Sequence, residues 1–260
     1  TLNGEGLQHQ DGHSHLQAAM IPNCVSYDPT FAYELAVIIQ DGMRRMYVNQ
    51  ENVFYYVTVM NENYAHPAMP KGVEDGIIKG MYLFRGQESG VRNQEKPRIQ
   101  LLGSGTILRE AIAAAELLEK DFGVASDIWS VTSFNELRRN GLDCERWNML
   151  HPEAKPRVSH VEKCLAKRTG PVIAVTDYMK SYADQIRGFM PQHCKVLGTD
   201  GFGRSDTRKK LRQFFEVDRF YITIAALKAL ADEGTISNNV VSKAIRLYNI
   251  NPDKPNPTTV

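Results

Sequence analysis

Apolar residues recur along the first sixty residues with two different periods, which predict a helix and two strands. Between residues 30 and 47 the period is close to 3.6 residues, which predicts an amphipathic helix that starts at Asp28-Pro29-Thr30. Residues 53–60 are β-branched or aromatic and apolar on both faces, which predicts a central strand of a covered sheet. With a shorter extended stretch at residues 21–27, the order strand, helix, strand predicts a parallel crossover unit.

The alternation of strands and helices continues to the end of the chain. Apolar stretches predict strands at residues 99–102, 128–132, 172–176 and 195–199. Helical periodicity predicts helices at residues 106–121, 134–139, 158–168, 178–189, 206–216, 218–233 and 238–248. Residues 85–96 and 143–150 are predicted to be irregular, and the breaker-rich residues 61–72 predict a domain boundary. Strands that alternate with helices predict an α/β fold, a mostly parallel sheet covered by helices on both faces.

Composition and charge narrow the class of protein. The chain has 260 residues, 42 % hydrophobic and 23 % charged, as expected for a globular protein of one or two domains. A net charge of +1 gives no strong positive field that would attract nucleic acid. No apolar run reaches the ~18–20 residues that a membrane span needs. The scattered cysteines predict reduced thiols in a cytoplasmic protein. Because Thr1 is not an initiator Met, we expect the C-terminal part of a longer protein.

Residues 4–15 hold three of the seven histidines, together with two carboxylates and three glycines. The glycines disfavour a continuous helix and a strand alike, so we predict a shaped loop. Imidazoles beside a carboxylate suit proton transfer near neutral pH. A metal site is a second interpretation, and its possible ligands are His9, Asp11, His13 and His15. A polar surface loop without function is the third, and the residue types alone leave all three open.

Three further motifs have a structural interpretation that competes with a chemical one. Residues 103–105 (GSG) follow a predicted strand, but Leu108 stands where a dinucleotide fingerprint needs its third glycine, so a tight turn is favoured. Residues 200–205 could hold an anion, although a turn with a helix cap is favoured there. No base for Cys144 is identifiable, so a buried thiol is favoured over a nucleophile.

Several longer stretches together resemble one enzyme family over essentially the whole chain. They are NGEGLQH at residues 3–9, DGHSH at 11–15, NENY at 61–64, DCERWNMLH at 143–151 and LGTDGFGRSD at 197–206. These strings resemble the bacterial homodimeric pyruvate dehydrogenase, the decarboxylating component of the pyruvate dehydrogenase complex and a member of the transketolase-like group.

The resemblance implies an enzyme that uses thiamine diphosphate and magnesium. Residues 1–70 would be the last part of a parallel-sheet pyrimidine-binding domain that carries the active-site loop. Residues 71–260 would be the smaller transketolase-type C-terminal domain. In this family the thiazolium carbanion attacks pyruvate, carbon dioxide leaves, and the acetyl group passes to the lipoyl domain of dihydrolipoyl acetyltransferase. The resemblance also implies a cytoplasmic homodimer with its active site between the subunits.

By motif match, His9 corresponds to the active-site histidine that hydrogen-bonds the substrate-derived adduct, and Glu5 to the carboxylate close by. A positioned imidazole can donate a hydrogen bond to the oxygen that gains charge during carbonyl addition. Glu5 could hold that imidazole in the required tautomer. For His13 and His15 the resemblance favours packing or orientation of the loop, and no metal site is expected there.

The chain lacks the family's motif for magnesium and diphosphate, a Gly-Asp-Gly followed by a distant Asn-Asn pair. The glutamate that activates the aminopyrimidine would also lie upstream of Thr1. We therefore expect no complete cofactor site within residues 1–260 and no activity of this chain alone. The alternative function is a non-catalytic module for dimerisation and structural assembly. The lack of reactive motifs after residue 70 would agree with this alternative.

Overall fold

A computed structural model describes residues 1, 3, 4, 6–86 and 96–260. Its first part contains helix α1 (Ser14–Ala19) and two parallel strands, β1 (Cys24–Tyr27) and β2 (Phe54–Val57). Helix α2 (Ala32–Met43), extended by a π-helical turn at Arg44–Val48, joins the two strands. The predicted parallel crossover unit is therefore confirmed.

The described residues that follow form a five-stranded sheet with the strand order β3-β5-β4-β6-β7. The strands are β3 (Met81–Arg85), β4 (Arg98–Gly103), β5 (Ala125–Val131), β6 (Val172–Val175) and β7 (Cys194–Leu197). The helices are α3 (Glu74–Lys79), α4 (Ile107–Phe122), α5 (Phe134–Leu150), α6 (His160–Leu165), α7 (Lys180–Asp184), α8 (Arg208–Phe214), α9 (Arg219–Asp232) and α10 (Asn238–Leu247). Only the edge strand β3 runs antiparallel among these described strands, so the predicted mostly parallel sheet is confirmed.

Successive residues of the central strands point to opposite faces of this sheet, and each face is covered by helices. On one face Ile99 and Leu101 of β4 pack in a core with α4, α8, α9 and α10. On the other face Leu102 packs in a core with α5, α6 and α7. A smaller core lies between β1, α2 and α3. In the described part of the chain, no helix is both long and apolar enough to cross a membrane.

Three elements of the first part of the chain differ from the sequence-based prediction. Helix α2 begins at Ala32 and not at residue 30, because the buried Glu34 carboxylate accepts hydrogen bonds from the N–H groups of Thr30 and Phe31. His15 lies in helix α1 and not in a loop. Among the described residues β2 pairs only with β1, and Phe54 is 45 % exposed, so β2 is not the covered central strand that was predicted.

Two helices of the second part also differ from the prediction. Helix α5 continues to Leu150, whereas residues 143–150 were predicted to be irregular. The predicted helix at residues 178–189 is divided into α7 and a 3-10 turn at Arg187–Phe189. Most of the predicted surface excursion at residues 85–96 lies outside the described residues.

The carboxyl ends of the two sheets face each other. Asp28 directly follows β1, and its backbone N–H donates to the carbonyl oxygen of Thr132, which follows β5 (2.7 Å). The carbonyl oxygen of Asp28 accepts from the N–H of Gly105, which follows β4 (3.0 Å). In doubly wound sheets this edge is the usual place for a ligand, and it is where the histidine-rich segment lies.

Candidate functional site

His9 is presented by a tight turn at the start of the chain. Residues Gly6–Gln8 form a 3-10 turn, and the N–H groups of His9 and Gln10 both donate to the carbonyl oxygen of Gly6, at 3.3 and 3.1 Å. The His9 side chain is exposed. Glu5, the second residue assigned by motif match, lies outside the described residues.

Asp11 fixes the other end of this segment by capping helix α1. Its Oδ1 accepts from the N–H groups of His13 (3.0 Å) and Ser14 (2.9 Å), and its Oδ2 accepts from the Ser14 hydroxyl. Burial alone would raise the pKa of Asp11, but the hydrogen bonds from Ser14 and His13 lower it below its ordinary value. A charged Asp11 also suits the positive end of the helix dipole. The segment that carries His9 is therefore fixed by a turn on one side and a cap on the other.

His9 lines a cleft of about 210 Å³ between the carboxyl ends of the two sheets. The polar part of its lining comes from residues far apart in the sequence. It includes His9, Asp11, Asp28, Thr58, Asp177 and Tyr178. An exposed imidazole at such an edge can donate a hydrogen bond to an oxygen of a bound molecule or accept one from it.

Asp28 is the most buried carboxyl of the cleft, and the sequence analysis did not single it out. Its Oδ1 accepts from Thr58 Oγ1 and its Oδ2 from Ser104 Oγ, both at 2.9 Å. Burial raises the pKa of Asp28 to about 7, and the charges of Asp177 and Glu34 add to this rise. Asp28-Pro29 follows a strand directly, and this position at the carboxyl end of a parallel strand is the signal that could have identified it.

The GSG turn at residues 103–105 follows β4 of the five-stranded sheet and contacts Asp28. Gly105 has a φ of +49°, and a Cβ there would lie 2.6 to 2.8 Å from the Asp28 carboxyl group. Glycine is required because the backbone must come close to that group. The turn holds a carboxyl group of the same chain, which agrees with the structural interpretation of the motif.

His15 faces the protein core and not the cleft. It is fully buried, stacks on Tyr182 at 4.7 Å and contacts the edges of the Tyr56 and Tyr178 rings. Its Nε2 lies 2.9 Å from Thr58 Oγ1, and burial lowers its pKa to about 4. The packing role expected for His15 therefore agrees with its position. The interpretation of His9, Asp11, His13 and His15 as one ligand set is not borne out, because no three such side chains in the described part of the chain lie together in a way that could hold a metal ion.

A partly buried ion-pair network holds the segment between the two parts of the chain. Glu62 pairs with Arg109 (2.7 Å) and Arg212 (2.8 Å), and Arg212 also contacts Glu110 (3.3 Å). Burial alone would raise the pKa of Glu62, but the hydrogen bonds from the two arginines lower it to about 2. Arg219 extends the network through Glu110. The breaker-rich residues 61–72 are thus tied to helices α4 and α8.

The described residues do not fit a magnesium–diphosphate group. No three His, Cys, Asp or Glu side chains among them lie together in a way that could hold a metal ion. The cleft carries the carboxyl groups of Asp11, Asp28 and Asp177, and its described lining includes no Lys or Arg. Lys and Arg are the usual partners of a diphosphate, and the carboxylate of Asp11, whose pKa is lowered, would repel one. We therefore derive no reaction step through that group from this chain.

Family models match most of the chain in two consecutive parts. The model of the pyruvate dehydrogenase E1 component middle domain matches residues 1–67. The model of the transketolase-like TK C-terminal domain matches residues 80–218, which is more than half of the chain.

Curated relatives match along the whole chain. It is 65 % identical over 260 residues to the pyruvate dehydrogenase E1 component of Cupriavidus necator, and 64 % identical over 258 residues to that of Pseudomonas aeruginosa. The identity to the Escherichia coli K12 protein is 56 % over 259 residues. These matches cover 99 to 100 % of the chain but only 28 to 29 % of the relatives. The chain therefore spans less than a third of the length of these relatives.

Solved structures share the fold at low sequence identity. A transketolase from Pichia stipitis in complex with sedoheptulose 7-phosphate aligns with a TM-score of 0.61 at 15 % identity, over 89 % of this chain and 29 % of that one. Transketolase from Campylobacter jejuni aligns with a TM-score of 0.59 at 17 % identity, over 87 % and 29 % of the two chains. The fold is thus the transketolase-like α/β fold. Together with the curated relatives and the two family models, it shows that the chain belongs to the pyruvate dehydrogenase E1 component family and carries its transketolase-like C-terminal domain.

Proposed function

We propose that these 260 residues act within a pyruvate dehydrogenase that decarboxylates pyruvate and passes the acetyl group to the lipoyl domain of dihydrolipoyl acetyltransferase. The observation that carries the proposal is His9, an exposed imidazole at the cleft between two sheets, in a chain 65 % identical to an E1 component. The proposed division has residues 1–70 as the last part of the pyrimidine-binding domain and residues 71–260 as the C-terminal domain.

His9 is proposed to be the catalytic residue of this chain. Addition to the keto group of pyruvate places negative charge on the substrate oxygen, and an imidazole N–H can stabilise that charge by a hydrogen bond. The Gly6–Gln8 turn and the Asp11 cap fix the backbone on either side of His9, which reduces the cost of orienting it. Glu5 stays a proposal from the motif match, as the carboxylate that orients the His9 ring.

Thiamine diphosphate and magnesium are proposed to be held by residues outside this chain. This proposal agrees with the carboxyl-rich cleft and with the relatives, which are more than three times as long. A homodimer and a cytoplasmic location are proposed with it, and the four free cysteines suit a reducing compartment.

A non-catalytic assembly module is the second candidate function for the isolated chain. A chain described as a split-gene transketolase, an inactive beta4 tetramer, aligns with a TM-score of 0.51 at 14 % identity, over 86 % of this chain and 62 % of that one. The two candidates differ in what His9 does, because an assembly module needs no exposed imidazole at the cleft.

The test replaces His9 in an enzyme of the relatives' length that contains these residues. We expect His9→Ala to lower kcat for carbon dioxide release from pyruvate by about 100- to 1000-fold, as for other groups that stabilise a developing charge. The melting temperature should not change, because the side chain is exposed. The matched control is His193→Ala, an exposed histidine directly before β7 and hence at the opposite edge of the sheet. Turnover of His9→Ala within threefold of the control would contradict the proposal.

A further inference from the structure

The segment that carries His9 rests on two loops of the five-stranded sheet. The loop after β6 donates the Met179 N–H to the carbonyl oxygen of Gly12 (3.1 Å). In the loop after β7, the carbonyl oxygen of Asp206 accepts from the N–H of Gly4 (3.0 Å). Both contacts are made by backbone atoms on either side of His9. The position of the His9 turn is therefore set by the second part of the chain.

The loop after β7 also approaches the turn closely at Gly203, which is buried. A Cβ at this position would lie 2.9 Å from Gln10 Cβ and 3.0 Å from the carbonyl oxygen of Gly6. This oxygen accepts the N–H groups of His9 and Gln10 and so closes the turn. Glycine at 203 thus allows the loop to come close to the carbonyl oxygen that closes the turn before His9.

The two supporting loops are tied to each other. Thr199 lies after β7, and its N–H donates to the carbonyl oxygen of Tyr178 (2.8 Å). Its hydroxyl donates to the carbonyl oxygen of Asp177 (2.7 Å), and Asp177 and Tyr178 both lie after β6. The N–H of Lys180 in turn donates to Asp200 Oδ2 (3.2 Å). Because the loops brace each other, they form one support at the carboxyl edge of the sheet.

We propose that Gly203 is a positioning residue for His9, so that the C-terminal domain acts in catalysis by holding the imidazole at the cleft. This inference rests on the proposed function of His9. It predicts that a methyl group at 203 displaces the Gly6 carbonyl oxygen and with it the His9 turn. A displacement of about 1 Å in a catalytic group can lower the rate by about 100-fold.

The test is a double-mutant cycle in an enzyme of the relatives' length. We expect Gly203→Ala to lower kcat by roughly 10- to 100-fold with little change in KM for pyruvate. Hydrogen exchange of a peptide covering residues 6–12 should become faster, because a shift of the Gly6 carbonyl oxygen weakens the hydrogen bonds that it accepts from His9 and Gln10. The control is Gly188→Ala, since a Cβ at Gly188 has no atom within 4 Å and its φ is ordinary.

The double variant separates positioning from general damage. If Gly203 acts through His9, the variant His9→Ala with Gly203→Ala is no slower than His9→Ala alone. A further loss equal to that of Gly203→Ala alone would overturn the proposal, and so would Gly203→Ala with unchanged kcat. If His9→Ala itself kept full turnover, the proposed function would fail instead, and the hydrogen exchange of residues 6–12 would still report whether Gly203 holds the turn.

Discussion

At the scale of single residues, Asp28 and His15 are two buried titratable groups joined through one hydroxyl. Thr58 Oγ1 lies 2.9 Å from Asp28 Oδ1 and 2.9 Å from His15 Nε2. Burial raises the pKa of Asp28 to about 7 and lowers the pKa of His15 to about 4, so both groups favour their neutral form in the folded state.

The two pKa shifts act on stability with opposite signs. Unfolded His15 takes up a proton as the pH falls below 6.5, and the folded state does not, so stability is lost from pH 6.5 towards 4. Folded Asp28 keeps its proton until about pH 7, whereas the unfolded state releases it near 3.8, so stability is lost as the pH rises through that range. Each full effect is on the order of 3 to 4 kcal/mol, and the two partly cancel between pH 4 and 6.5.

Substitution of either residue should reveal the pH dependence of stability that the other residue causes. For Asp28→Asn, the free energy of unfolding relative to the wild type should rise by about 2 kcal/mol between pH 5 and pH 7.5. For His15→Gln, the free energy of unfolding relative to the wild type should fall by about 2 kcal/mol over the same pH range. Urea unfolding at the two pH values measures both, with the exposed Asp253→Asn as a control expected to show no change. If the two variants changed with pH in the same direction, the raised pKa of Asp28 and the lowered pKa of His15 would be contradicted.

At the scale of elements, the link between the two parts of the chain depends on Arg212. Its guanidinium is 7 % exposed and contacts both Glu62 and Glu110. Replacement by Leu would leave two largely buried carboxylates with fewer cationic partners. The breaker-rich segment at residues 61–72 would then lose one of its attachments to α8 and keep the contacts of Asn61 and Glu62 with Arg208.

We expect Arg212→Leu to lower the free energy of unfolding by about 3 kcal/mol, within the range found when one partner of a buried ion pair is removed. Lys228→Ala is the control, because its pair with Asp232 is exposed on both sides and such pairs contribute about 0–1 kcal/mol. Chemical denaturation of both variants gives the comparison. Equal losses in the two variants would show that the network does not hold the segment.

The elements that the sequence could predict are those with a regular apolar period. The strands β4, β5, β6 and β7 were found in this way, because buried parallel strands are apolar on both faces. Helix α5 continues past the predicted end at residue 139 and contains Gly141, a residue type that disfavours a helix interior. In the structure the Phe189 ring lies 2.5 to 2.6 Å from where a Cβ of Gly141 would be, so this glycine serves a contact between elements. Local propensity carries no information about such a contact.

The site could be predicted only in part, for the same physical reason. The motif pointed to His9, and the structure shows this residue at the cleft. Ser104 and Gly203 lie in stretches that the sequence analysis noted, but their contacts, with Asp28 and with Gly6 and Gln10, form only when distant parts of the chain pack together. His9 and His15 differ for the same reason. His9 is exposed at the cleft and His15 is fully buried, and this difference in burial comes from the packing of the chain.

At the scale of the whole molecule, the proposal divides the chemistry between this chain and the rest of a longer enzyme. The chain supplies His9, and the C-terminal domain supports it. The described lining of the cleft includes no Lys or Arg, so we expect the diphosphate to be held by residues outside this chain. Residues 1–260 should therefore bind thiamine diphosphate weakly or not at all, which calorimetry with magnesium present would measure. A dissociation constant in the micromolar range would contradict this expectation.

The most direct measurement is carbon dioxide release from labelled pyruvate by two proteins side by side, with thiamine diphosphate and magnesium present. One is the chain of residues 1–260, and the other is an enzyme of the relatives' length that contains it. We predict release by the longer enzyme, a loss of about 100-fold or more in its His9→Ala variant, and none above background by residues 1–260. Release by residues 1–260 at a rate near that of the longer enzyme would contradict the account.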